Sequence, residues 1–570
     1  MSIYPTNPRT WAQLDALDVR ERRDLLDAQW SPPTGGGAGA AAGAAAAAPS
    51  PQQLGPRGRL RFLAAPGRDA TIAAYFYPAD PSTQQPKAVV IAVHGHGSYW
   101  QFEFLKMAAV GAPHVYAGSW VEALNRRGFS VCGVDNCGSG RSSGRFGLVD
   151  AAEHLRDDVL ALAACVRGMG TAAAAAAGRA GGGAAAPVAS RGAKRGAAAA
   201  AAAAPPRAPG PFGPALAGIP GFCASLPIFL LGPSLGGCVS VQAALAAEAS
   251  LAATSAAAAA SPPPFAGVVL LAPLLGLEGT ASRGWNPYLR RAAALLDACP
   301  LTREWPVAAQ EGNRMFPEQQ LDFECDSVTY HYPCRVRTAV QLLRACAGVL
   351  PLPLPAAAAA GAAGDAAAAA AAAQRAGQPL REAAKRLRAP VLAFHSARDT
   401  LCDCGATEAF VAAARQGHEA RRAAAAMAGA AAAAAGGGGG GAQMRRCDHL
   451  WHSVLREDGT DELLREAVAW MDARLASLAA AAAAAAAGGG GGAEATAAAH
   501  AAAAAATKGG RGGGCGAGSL KQVASAAARV TVGAAASASS PQKAAAVAAE
   551  AELAAPPRVR ARRGGGAAAR

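Results

Sequence analysis

Short, nearly unbroken apolar runs recur along this chain, separated by longer stretches of mixed character. Ala88-Val89-Val90-Ile91-Ala92-Val93, Phe129 through Asp135, Leu226 through Leu231, Gly267 through Ala272 and Ala389 through Phe394 have the length of strands. They lack the strict alternation of a strand with one wet face, so they are expected in a parallel sheet covered on both sides. Between them lie helical patterns: Trp120 to Arg127 closing on Gly128, Glu153 to Arg167, the small residues after Gly237, about 405–416, and a closing amphipathic stretch at 460–477. Leu60 to Leu63 and Ala70 to Pro78 read as a hairpin at the sheet edge, and Met444 to Cys447 as a last strand. Strands alternating with helices predict an α/β class fold, a mostly parallel sheet flanked by helices. From about 282 to 387 the rhythm breaks. Trp285, Tyr288, Trp305, Pro306, Phe316, Phe323, Tyr330 and Tyr332 there suggest an apolar cap over a site.

Composition reduces how much of the 570 residues can be core. Alanine and glycine dominate the tracts near 35–48, 171–204, 251–264, 356–373, 423–441 and 478–506. Without large apolar side chains these tracts cannot offset the entropy of ordering, and they read as insertions and tails. The expected organisation is an N-terminal segment and linker (1–57), a core formed by 58–281 and 388–477 with low-complexity insertions at 167–220 and 421–441, a cap at 282–387, and a disordered basic tail from 478 to 570.

The formal charge of +14 gathers in those doubtful parts. Arg167, Arg179, Arg191, Lys194, Arg195 and Arg207 carry no balancing acid, and Arg558, Arg560, Arg562, Arg563 and Arg570 close the chain. Such a tail suits anionic lipid or RNA, but no aromatic residues interleave with these arginines, so no nucleic-acid partner is expected. Thirteen cysteines without regular spacing suggest reduced thiols and a cytoplasmic setting. Asp15, Asp18, Glu21, Asp24 and Asp27 among arginines fit neither a signal peptide nor a transit peptide. The long uncharged runs are alanine and glycine rather than the leucine of a membrane span.

Chemistry concentrates at Gly232-Pro233-Ser234-Leu235-Gly236. An apolar strand enters this Gly-x-Ser-x-Gly and a helix pattern leaves it, which is the context of a nucleophile elbow; Ser234 is the candidate nucleophile. The first buried strand ends in His94-Gly95-His96-Gly97, where a backbone amide can face a carbonyl under attack. The amides of His96 and Leu235 are the candidate oxyanion donors. Two histidines beside glycines also suit a metal, but one strand-end pair lacks further spaced ligands. Asn136 through Gly144 resembles a phosphate-cradling loop without its Gly-Lys-Ser/Thr ending, and reads as structural. A serine nucleophile needs a base and an orienting carboxylate. Asp399 at the end of a late strand and His452 after the last one supply them, ahead of Asp403 and His449, which stand nearby. Cys402, Cys404, Cys447 and His449 form no usual zinc spacing.

At these residues the chain resembles the monoacylglycerol lipase-like, serine aminopeptidase-type branch of the α/β-hydrolases, which includes lysophospholipases and plant caffeoylshikimate esterase-like proteins. The matching pieces are His94 to Gly97, Asp135 to Gly144, Leu226 to Gly237, the Asp399 and His452 segments, and Arg335 to Leu343, which together with Tyr330-His331-Tyr332 looks like the family's cap helix. The family commonly has Glu-His-Ser where this chain has Ser98-Tyr99-Trp100, and often histidine where Pro233 stands. The resemblance implies a serine hydrolase of carboxylic esters, of monoacylglycerol or lysophospholipid type, acting without a cofactor on a small lipid ester, and either cytosolic or peripheral to membranes. Two other readings share the fold: an acyltransferase on the same site, and a binding module without catalysis.

Overall fold

The protein is described by a computed structural model covering residues 18–28, 54–82, 85–180, 219–254, 262–277, 292–293, 295–308, 312–347, 380–427 and 441–488. All belong to the larger of two compact units, Met1–Gly509. Strands are β1 (Arg59–Ala64), β2 (Thr71–Tyr77), β3 (Ala88–Val93), β4 (Phe129–Val134), β5 (Ile228–Pro233), β6 (Gly267–Leu271), β7 (Pro306–Ala308), β8 (Cys334–Arg335), β9 (Val391–His395) and β10 (Ala442–Arg446). Helices are α1 (Val19–Ala28), α2 (Trp100–Phe104), α3 (Trp120–Arg126), α4 (Ala152–Ala180), α5 (Ser234–Thr254), α6 (Pro317–Cys325), α7 (Val336–Ala347), α8 (Leu380–Ala384), α9 (Cys404–Met427) and α10 (Asp461–Gly488).

Eight strands form one sheet in the order β1-β2-β4-β3-β5-β6-β9-β10. The β1–β2 and β2–β4 pairs are antiparallel, and every pair from β4 to β10 is parallel. This order, with helices crossing between the parallel strands, is the α/β-hydrolase fold. Each residue of β3, β4, β5, β6 and β9 is buried, which explains the runs without alternation. Their side chains still alternate in space. Val89, Ile91 and Val93 join one core with Val159 and Leu162 of α4 and Val239 of α5. Val90 and Ala92 join the other with Trp120 and Leu124 of α3 and Trp470 and Met471 of α10. The outer strands β1 and β10 carry exposed arginines, a composition that discourages edge-to-edge pairing.

Three features go beyond the pattern. First, helices run into the alanine tracts: α10 continues past 477 to Gly488, and Leu478 packs on the core. Alanine has the highest helix propensity, so a helix already nucleated by packing extends into such a tract at little cost. Second, the N-terminal segment contributes a docked helix. Arg22 of α1 is buried and donates to the carbonyls of Gly140, Ser142 and Gly144, while Asp27 pairs with Arg141 at 2.9 Å. Third, α5 is long and apolar enough to cross a membrane, yet 72 % of that window is buried inside the molecule, as for a core helix. The rest of the insertions, Trp285 and Tyr288 of the expected cap, and the C-terminal arginines lie outside the described residues.

Candidate active site

Ser234 stands where β5 turns into α5, at φ 47°. A serine in this left-handed region is strained, and surrounding packing must hold it there. The glycines of the motif make that packing feasible. A Cβ on Gly232 would collide with the Gly236 carbonyl, and one on Gly236 with the Val93 carbonyl of β3. Pro233 takes the last position of β5, opposite Leu271 of β6, so proline is accommodated at the strand end.

On the far side of the elbow, His452 Nδ1 lies 2.8 Å from Asp399 Oδ2. An ionised carboxylate only accepts, so Nδ1 carries the hydrogen and Nε2 is left with a lone pair able to take a proton. Burial alone would raise the Asp399 carboxyl, but the His452 charge and hydrogen bonds from His395 and His452 hold it well below the usual carboxylate range. For His452 burial acts downward; the Asp399 charge first, then Cys402 and the Asp399 hydrogen bond, outweigh it and raise the imidazole well above its ordinary value. The two near alternatives have other places. Asp403 accepts from the Gly405 amide at the start of α9, and His449 is exposed.

Residues that the sequence did not single out hold this pair. His395, the last residue of β9, bonds Asp399 Oδ2 through Nε2 at 3.0 Å and Thr407 Oγ1 through Nδ1 at 2.8 Å. Because Asp399 again accepts, His395 Nε2 donates and Nδ1 accepts from the threonine hydroxyl. The amides of Leu401 and Cys402 donate to Asp399 Oδ1. Glu457 is buried and accepts from the amides of Trp451, His452 and Ser453 and from Asn313 Nδ2, which fixes the loop that carries His452. Burial raises the Glu457 carboxyl against the pull of these amides.

The structure therefore brings Asp399 and His452 into contact, and Ser234 lines the same cavity as His452. Among the described residues no hydrogen bond joins Ser234 to His452. The polar neighbour of Ser234 Oγ is Cys402 Sγ at 4.0 Å, a thiol that burial pushes up and that is therefore neutral at pH 7. Catalytic hydrogen bonds are commonly long in empty sites and tighten around substrate. Asp399, Cys402 and His452 also place ligand-type atoms within 4.8 Å of one another. Two of those groups bond each other, so a cation there would have to displace the proton between them.

The loop after β3 is held by polar contacts. The Asn136 amide donates to His94 Nε2 at 2.8 Å, and His94 Nδ1 lies 2.7 Å from the Gly95 carbonyl. His94 is thus neutral with the hydrogen on Nδ1, in keeping with the downward effect of burial. Asp135, at the end of β4, accepts from the Trp100 amide, the Arg141 amide and the Tyr75 hydroxyl. Tyr330 of the cap donates its amide to the Gly97 carbonyl at 2.7 Å. Leu235 lies in the first turn of α5, where amides have no intrahelical acceptor. The half-buried His96 ring is lowered to about 4 by desolvation and by His94, so it is neutral at pH 7.

A cavity of about 420 Å³ opens on Ser234. Leu274, Leu277, Ala339, Leu342 and Leu343 line one part; Glu103, Gln319, Gln320, Glu324 and Arg456 line another. The cap supplies much of both through α6 and α7.

No family model matches the sequence, and no curated protein matches it. Solved structures that match include a soluble variant of the monoglyceride lipase of Saccharomyces cerevisiae in complex with a substrate analog (12 % identity, TM-score 0.43), covering 75 % of this chain and 99 % of that one. The monoacylglycerol lipase of Paleococcus ferrophilus is 14 % identical over 71 % of this chain and 100 % of that one, with a TM-score of 0.37. A thermostable carboxyl esterase of Bacillus coagulans is 11 % identical over 73 % and 98 %, with a TM-score of 0.37. At these scores the likenesses carry no weight of their own. The fold assignment stands on strand order and the site on its geometry.

Proposed function

We propose that the chain is a serine hydrolase that cleaves carboxylic esters of monoacylglycerol or lysophospholipid type. The observation that carries this reading is a strained serine at a strand-to-helix turn, sharing one cavity with a hydrogen-bonded histidine–aspartate pair. In this mechanism Ser234 Oγ attacks the ester carbonyl as His452 Nε2 takes its proton. Asp399 stabilises the imidazolium, and the amides of His96 and Leu235 receive the oxyanion. The tetrahedral adduct collapses, the C–O bond to the alcohol breaks, and the alcohol leaves with the proton from His452. Water then attacks the acyl-serine by the same route, releasing the acid and restoring the hydroxyl.

The leucine-lined wall supports an acyl chain as the acid part. Leu295, Leu301 and Trp305 are exposed on the cap segment whose Ala293 and Val307 line the cavity. That surface favours uptake of substrate from a lipid interface, which is the membrane contact we propose. The experiment is release of fatty acid from a medium-chain monoacylglycerol and a matched lysophospholipid by purified protein and its His452→Ala variant. Release by the wild type alone is the expected result. Equal rates for both proteins, or none from either substrate while short esters are also untouched, would overturn the reading.

A further inference from the structure

The cavity beside Ser234 has two walls built by different elements, one apolar and one that sets polar side chains beside the rings of Phe102 and Phe323. The apolar wall comes from the segment after β6 and from α7, joined where Cys346 Sγ approaches the Leu274 carbonyl. The polar wall comes from α2, α6 and Arg456. These pack together through the rings of Phe102 and Phe323, 5.9 Å apart, and the Arg456 guanidinium 3.9 Å over Phe102. Within this wall Glu103 is unusual. It is 9 % exposed, lines the cavity, and accepts no hydrogen bond and forms no ion pair through its carboxylate with any described residue.

Its position is fixed against the nucleophile. A Cβ built on Gly95 would meet Ser234 Cβ at 3.3 Å and Glu103 Oε2 at 3.8 Å, so the carboxylate and the serine flank the same glycine. The cation nearby is already engaged: Arg456 pairs with Asp322, which also holds His114 Nε2 at 2.9 Å and the Gly111 amide. Glu324, bonded by Gln320 at 2.7 Å, adds a second carboxylate to the wall. Facing the cavity there is thus a surplus of negative charge, and among the described residues the Glu103 carboxylate accepts no hydrogen bond, its interaction with Arg456 being one of charge alone. A buried carboxylate without hydrogen-bond donors is costly, and such groups are kept where a ligand supplies the missing donors.

We infer that Glu103 is the specificity-determining residue for the alcohol half of the ester: its carboxylate accepts hydrogen bonds from the hydroxyls of a neutral polyol and repels anionic head groups. The assignment rests on the hydrolase reading above and narrows its substrate to esters of neutral, hydroxyl-bearing alcohols. A hydroxyl donates to the carboxylate in a charge-assisted bond, stronger than one between neutral groups. A phosphate monoester on the same alcohol would bring like charge into a poorly solvated space.

The test compares substrates that share one acyl chain: the glyceryl monoester, the ethyl ester without hydroxyls, and the glycerol-phosphate monoester. For wild type, kcat/KM should be highest for the glyceryl ester and lowest for the phosphate. In Glu103→Ala the glyceryl-to-ethyl ratio should fall about tenfold to a hundredfold, the size of one charge-assisted hydrogen bond. Glu103→Gln keeps an acceptor oxygen without the charge. It should retain part of that ratio and raise the phosphate-to-glyceryl ratio about tenfold or more. Ratios unchanged in both variants, or a wild type that prefers the phosphate, would overturn the assignment and leave the hydrolase reading standing. A wild type that turns over none of the three esters would overturn the hydrolase reading itself.

Discussion

The two sides of the cavity are held by different physics. The Ser234 side is a matter of sterics: Ser234 at φ 47° is wedged between glycines that admit no Cβ, under a strand whose Val93 carbonyl touches the turn. The side of His452 and Asp399 is a matter of polar bonding. There Asp399 takes two histidines and two amides, and Glu457 ties down the loop of His452 through three amides and an asparagine. Steric positioning tolerates almost no substitution, whereas a network of hydrogen bonds can lose members in steps. The contrast separates residues whose replacement should abolish the site from those whose replacement should weaken it.

The largest effect expected on the polar side is at its centre. Asp399→Asn should lower kcat by about a thousandfold to ten-thousandfold, as loss of the orienting carboxylate does in serine hydrolases. It should also move the pH profile. His452 must be neutral to accept the serine proton, so kcat/KM falls as pH drops through its pKa. Burial pulls that pKa down, but the Asp399 charge prevails and holds it above the ordinary 6.5, and removing the charge should shift the acidic limb to lower pH. An unshifted limb would show that another group controls it.

On the steric side, Gly236→Ala should cost about 3 kcal/mol of stability, the upper end for overpacking, because the new methyl meets backbone that cannot move aside. Chemical denaturation measures this, and a neutral result would mean the elbow relaxes more easily than its geometry implies. Thr407→Val tests gradation in the polar network. It removes the donor to His395 Nδ1 and should reduce kcat about tenfold, the worth of one hydrogen bond to a charged site's support. A thousandfold loss would make the network as brittle as the elbow. The smallest effect belongs to Asp403→Ala. Its carboxylate accepts from the Gly405 amide at the head of α9, so a loss of about 1 kcal/mol in stability with kcat unchanged is expected.

The same contrast governs what was legible in the sequence. Steric devices leave a mark on the chain, because only glycine fits at 232 and 236, and Gly-x-Ser-x-Gly after an apolar run could be read directly. The central strands were legible for a similar reason, since burial on both faces demands unbroken apolar residues. Asp399 and His452 were legible as residue types at strand ends, in an order compatible with the fold. Their supports were not. His395, Thr407 and Glu457 are ordinary polar residues whose roles appear only when β9, α9 and the loop after β10 come together. The docking of α1 was hidden likewise. Arg22 looks like one of several charged residues in a polar segment until the loop at 140–144 offers it three carbonyls. Glu103 was invisible because its distance from Ser234 depends on how α2 follows the loop after β3, a matter of tertiary geometry alone.

The most direct test of the account is labelling by a fluorophosphonate, which phosphonylates a serine only where base and oxyanion donors are assembled. Wild-type protein should be labelled on Ser234, with labelling lost in Ser234→Ala and slowed in Asp399→Asn. Folded wild-type protein that takes up no label, or a Ser234→Ala variant labelled as fast as wild type, would contradict the claim that this cavity is a working serine hydrolase site.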